Sequence, residues 1–176
     1  MRSLRADEVE VRVGTVTAKG VTLLLYKNAR VDRAILDEEF GALDWQCRYS
    51  DHKGNLFCSI GVYDKSKGEW VWKEDCGTES NTEREKGEAS DAFKRAGFRW
   101  GIGIELYSSP FIFLSVATEK VGNGYKMAVR EDQRAISRAY VSHIVVDDGK
   151  IAELDIAIDK KVVWSTDRRK VGLNHE

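Results

Sequence analysis

Lys94, Arg95 and Arg99 crowd into roughly one and a half helical turns of the segment "EKGEASDAFKRAGFRWGIGIELY", Glu85–Tyr107. Cations at that spacing can hold phosphates, and guanidinium groups do so with two parallel hydrogen bonds. The same residues can form ordinary surface ion pairs. Asp91 and Arg95 stand at i, i+4, a pairing that stabilises a helix by ~0.3–0.5 kcal/mol. Successive helical residues are rotated by about 100°. Arg95 and Arg99 therefore stand one turn apart, while Lys94 points away from Arg95. Lys86 lies earlier on the same helix.

Other chemistries have less to build on. His52, His143 and His175 fall in a turn, a strand and the tail, with no partner at metal-ligand spacing. Cys47, Cys58 and Cys76 lie in predicted strands and form no C-x-x-C pair. They read as small buried hydrophobes in a reducing compartment. Asp75, Glu79, Glu83, Glu85, Glu88 and Asp91 offer oxygens that a magnesium-dependent nuclease could use. They also suit an acidic helix start, where carboxylates complement the dipole and Thr82 with Glu85 fits a capping box. Gly101-Ile-Gly103 is no dinucleotide fingerprint: Leu106 stands at the third glycine position, and the glycines close a helix. No phosphate-binding loop of the Walker type occurs, so neither nucleotide nor metal cofactor is expected. Trp70, Trp72, Trp100, Tyr63 and Tyr107 supply flat surfaces. Such rings stack on bases in single-strand binders, and they also fill cores.

Elements must position these groups. Val9, Val11 and Val13 alternate with Glu10 and Arg12, the pattern of a half-buried strand, and "TAKG" turns into a second strand, "VTLLLY". Asn28 reads as the N-cap of a helix with Val31, Ala34, Ile35 and Glu38 on one face, ending at Phe40-Gly41. Three strands follow, "WQCRYS", "LFCSIGVY" and "WVWKEDC", with "HKGN" and "KSKGE" between them. A helix over residues 82–100 comes next, with Ala89, Ala92, Phe93, Ala96 and Trp100 on one stripe. The order ββαβββα predicts an α+β fold, an antiparallel sheet with helices packed on it. Beyond it, "PFIFLSV" and "YKMAV" flank a Gly-Asn-Gly turn, "EDQRAISRA" is a short helix, "YVSHIVV" and "KIAELDIAI" make a hairpin, and "KVVW" adds a strand. "STDRRKVGLNHE" reads as a frayed tail.

The whole chain has 176 residues, 28 Lys plus Arg against 29 Asp plus Glu, and a formal charge of −1. The length suits one domain, residues 1–176. The near-neutral field means that any anion site depends on local clustering. The N-terminus "MRSLRADEVEV" lacks the apolar run of a signal peptide, and no apolar stretch approaches the ~20 residues of a membrane span. A cytoplasmic location without membrane contact is expected.

Three segments in order, "RAILDEEFGALDW", "GNLFCSIGVYDKSKGEWVWKEDCGTES" and "EKGEASDAFKRAGFRWGIGIELY", resemble the Rad-fifty-two family of single-strand annealing proteins, closest to its phage and bacterial branch. That branch shows L-D-E-x-F-G before a Trp, W-V-x-K-x-D-x-G on a strand, and a helix reading E-K-G-x-x-S-D-A-x-K-R-A followed by W-G-I-G. The resemblance spans residues 9–107, leaving 108–165 as a β-rich extension and 166–176 as a tail. It implies single-stranded DNA binding and annealing in recombination and repair, by a homo-oligomeric ring that needs no ATP and has no catalytic residue. Lys94 and Arg95 match a Lys-Arg pair that lines the family's DNA groove, and Lys86 aligns with a family Lys. A third basic position falls on Phe98, beside Arg99. Arg12, and after it Lys19, match a groove residue of the N-terminal hairpin. The loop "CGTESNT" has no lysine for the family's outer DNA site. A single-strand DNA-binding protein is among the implied partners. The alternatives are DNA-end protection without annealing and the magnesium-dependent nuclease.

Overall fold

The computed structural model describes residues 1–78 and 84–173, with the side chains at 84–86 outside that description. The chain forms two compact units. One comprises Met1–Leu4 and Lys27–Ile104, the other Arg5–Tyr26 and Glu105–Glu176. The fold is α+β with antiparallel sheets, and its first seven main elements run ββαβββα.

In the first unit, helix α1 spans Ala29–Phe40. The Asn28 side chain accepts from the Arg30 and Val31 amides, as its N-cap position requires. Gly41, at φ 85°, ends the helix. The expected stripe of Val31, Ala34, Ile35 and Glu38 is rotated. The buried residues are Asp32, Ile35 and Leu36, and Ala34 and Glu38 face outward. The reason is Lys27, whose buried ammonium draws the Asp32 carboxylate inward. Strands β3 (Trp45–His52), β4 (Asn55–Asp64) and β5 (Glu69–Cys76) pair in that order. The His52–Asn55 pair closes the first hairpin, with Lys53 and Gly54 both at positive φ. Helix α2 (Arg84–Arg99) packs on β4 and β5. Ala92, Phe93 and Ala96 are buried on its side, and Cys58, Ile60 and Val62 on the sheet's side. The Thr82–Glu85 capping box lies outside the described residues.

In the second unit, β1 (Glu10–Thr17) and β2 (Gly20–Tyr26) form the N-terminal hairpin. They join β6 (Ile112–Leu114), β9 (Tyr140–Asp147), β10 (Lys150–Ile158) and β11 (Lys161–Ser165) in one sheet, ordered β11-β10-β9-β1-β2-β6. The N-terminal hairpin thus pairs with C-terminal strands, and β3–β5 form a sheet of their own. Strand β7 (Thr118–Val121) pairs with β8 (Gly124–Met127) across the Gly-Asn-Gly turn, whereas β6 pairs with β2. Helix α3 spans Arg130–Ile136. The segment read as a frayed tail is tied down as far as Leu173. Its carbonyl accepts from the Val162 amide, and the Gly172 amide donates to the Val162 carbonyl. Among the described residues, no helix is long and apolar enough to cross a membrane.

Candidate nucleic-acid interface

Helix α2 is fixed at three points along its length. The Asp91 carboxylate accepts from the amide and hydroxyl of Thr78, just past β5, at 3.1 and 3.0 Å. One turn before it, Glu88 accepts from the Leu56 amide at the start of β4. At the far end, Lys73 of β5 donates to the Arg99 carbonyl at 3.0 Å, and its ammonium sits 4.3 Å over the Trp100 ring. A cation there also opposes the negative end of the helix dipole. Trp100 is held in turn by its indole N–H, which donates to the Ile60 carbonyl, and by an edge contact with Phe40. Gly101 and Gly103, at φ 86° and 70°, carry the chain out of the helix through conformations that side chains disfavour.

On this frame the fold brings together Arg95 and Arg99 at one carboxylate. Asp75 Oδ1 accepts from Arg95 Nε at 3.2 Å, and its Oδ2 accepts from Arg99 Nε at 3.0 Å. The Cys76 amide also donates to Oδ1. Burial raises the Asp75 carboxyl, but the Cys76 amide, Arg99 and Arg95 outweigh it and hold it below its ordinary value. The Asp75 side chain is 15% exposed, against 43% for Arg95 and 62% for Arg99. Each guanidinium is held by its Nε, so its outer nitrogens carry no hydrogen bond among the described residues.

Lys94 is placed differently. Its side chain is 25% exposed and lies 3.8 Å from Asp91. The expected Asp91–Arg95 pair does not form: Asp91 is taken by Thr78 and Lys94, and Arg95 turns to the sheet. Phe98, the third groove position in the resemblance, has its ring 4.1 Å from the Lys27 ammonium. The Lys86 side chain lies outside the described residues, as do Glu79, Glu83, the Glu85 side chain and His175. Arg12 and Lys19 belong to the other unit. Arg12 is 60% exposed, pairs with Glu10 at 2.6 Å and lies over Tyr26, and Lys19 is exposed in the β1–β2 turn.

Asp75 and Lys73 acquire roles that the spacing of the helix could not give them. The signal was present in β5, where residues two apart share a face. Val71, Lys73 and Asp75 alternate with Trp70, Trp72 and Glu74, which puts a cation and an anion on the side that meets α2. Of the other carboxylates in the candidate nuclease set, those whose side chains are described are similarly engaged, Asp91 on Thr78 and Glu88 on Leu56. Among the described residues, no three His, Cys, Asp or Glu side chains group as metal ligands. On the outer face, Tyr63, Trp70 and Trp72 form a continuous row of rings, and Arg48 lies 4.3 Å over Trp72.

Compared with protein-family models, with curated proteins and with solved structures, the chain gives no significant match.

Proposed function

We propose that this chain binds single-stranded DNA along the guanidinium edge of α2 and anneals complementary strands as a homo-oligomeric ring, without nucleotide or metal. The observation that supports the reading most is the pair Arg95 and Arg99, fixed through Nε at one carboxylate while their side chains remain 43% and 62% exposed. Groups ordered on folding lose less freedom when they meet a phosphate. Lys73, Lys94, Arg95 and Arg99 set four positive charges against the three negative charges of Asp75, Glu88 and Asp91, so the described part of this edge is positive although the chain is not. Repetition around a ring would multiply such modest contacts through effective concentration. Phosphate contacts carry no sequence information, so base pairing between the strands does the selecting.

Annealing of labelled complementary oligonucleotides, followed in time with chelator present, tests the proposal. The expected result is a rate above that of the protein-free strands. A protein that shields ends from an exonuclease but leaves the annealing rate unchanged supports end protection instead. Binding that vanishes in chelator and returns with magnesium contradicts the metal-free mechanism.

A further inference from the structure

Beneath the turn that carries Lys94, Arg95 and Phe98 lies a buried ion pair. The ammonium of Lys27 and Asp32 Oδ1 are in direct contact, with side-chain exposures of 1% and 0%. The same ammonium lies 3.3 Å from the Lys94 carbonyl, to which it donates, and 4.1 Å from the centre of the Phe98 ring. Lys27 thus touches the backbone of one basic residue of α2 and the side chain one turn later. Two glycines make room for the pair. A Cβ on Gly97 would overlap Asp32 Oδ1, and one on Gly103 would come within 2.7 Å of the Lys27 side chain. Asp32 Oδ2 is buried without a hydrogen-bond partner.

Such a pair is a poor stability device. Removing two charges from water commonly outweighs their attraction, and apolar replacements of similar volume are often neutral or stabilising. The orphaned oxygen of Asp32 adds to that burden. What the pair does supply is direction: an ammonium with several donors fixes where a carbonyl of α2 sits relative to α1.

We propose that Lys27, held by Asp32, is a positioning residue that sets the Lys94–Arg99 turn of α2 for phosphate contact. The inference rests on the function proposed above.

Single-stranded DNA binding is measured against salt for the parent, Asp32→Asn, Lys27→Met/Asp32→Leu and Lys27→Met/Asp32→Asn, with thermal unfolding of each. Asp32→Asn keeps an acceptor for Lys27 and leaves the tie to the Lys94 carbonyl, so parent-like binding is expected. Both double variants remove the tie. They are expected to fold, the apolar one with undiminished melting temperature, and to bind on the order of tenfold more weakly, as for one lost charge-assisted hydrogen bond. Their log–log salt slope is expected to be shallower by ~0.7, one phosphate contact on a single strand. A pair with a merely structural role would move the melting temperature and leave the slope alone. Double variants that bind like the parent, or that do not fold, overturn the inference, since it assigns the pair to position and not to stability. A parent protein that shows no salt-sensitive binding overturns the function proposal itself, and the inference with it.

Discussion

Asp75 and Asp32 are carboxylates of one unit with opposite electrostatic situations. The Asp75 carboxyl is held below its ordinary value because the Cys76 amide and two guanidiniums outweigh its burial. Its stabilising contribution is present above the ordinary Asp range, about pH 4, and is lost as pH falls through the lower folded value. Replacing Asp75 with Ala is expected to destabilise the fold by about 1–2 kcal/mol, since it frees one amide and two guanidiniums that are partly solvated. Urea unfolding at neutral pH measures this, and a change within ~0.5 kcal/mol would show that the carboxylate is not what organises the cluster. For Asp32, burial dominates over Lys27 and raises the carboxyl from 3.8 to about 6. The folded state then holds a proton more tightly than the unfolded one. The Asp32 contribution to stability is full below 3.8 and is lost as pH rises through about 6. Between these limits, the parent is expected to lose stability relative to Asp32→Asn as pH rises. Parallel stability curves for the two proteins would contradict the assignment.

At the scale of elements, α2 joins a buried apolar stripe to an edge of cations that runs from the half-buried Lys94 and Arg95 to the exposed Arg99. The stripe was legible because Ala92, Phe93 and Ala96 repeat at helical spacing. The Asn28 cap, the Gly41 stop and the tight turn at Lys53–Gly54 were legible because each depends on local backbone chemistry. The partition of strands between sheets was not, because pairing partners such as β1 with β9 are far apart in sequence and nothing local specifies them. The face of α1 was misread for a related reason. A charged residue reads as outward-facing until its partner is known, and the partner of Asp32 is a Lys in the preceding loop. Among the site residues, Arg95 and Arg99 were legible as neighbours on the helix, but their shared carboxylate belongs to another element. Gly97 gives a direct test of the close approach between the helices. Gly→Ala in a helix interior ordinarily stabilises by roughly 1 kcal/mol. Here the new methyl group would overlap Asp32 Oδ1, so Gly97→Ala is expected to destabilise by about 1–3 kcal/mol. A rise in unfolding midpoint would show that α1 and α2 separate easily at this point.

For the whole molecule, the formal charge of −1 means that the proposed attraction for DNA must come from local edges such as that of α2. In the proposed function, repetition of the edge around an oligomer raises the affinity to a useful level, so the proposal requires assembly. Light scattering at micromolar concentration is expected to report a species several times the 19.9 kDa of one chain. A single species of monomer mass would remove the multiplying factor. The central claim, that α2 grips phosphates, is tested most directly by the salt dependence of single-stranded DNA binding in Lys94→Ala/Arg95→Ala beside the parent. Both side chains lie off the buried stripe, and Asp75 keeps Arg99 and the Cys76 amide, so the fold is expected to survive. The account predicts weaker binding to every sequence alike and a log–log slope shallower by ~1.4, two contacts at ~0.7 each. A folded double variant with the parent's affinity and slope would contradict it, leaving these cations as an ion-pair network that stabilises a helix end.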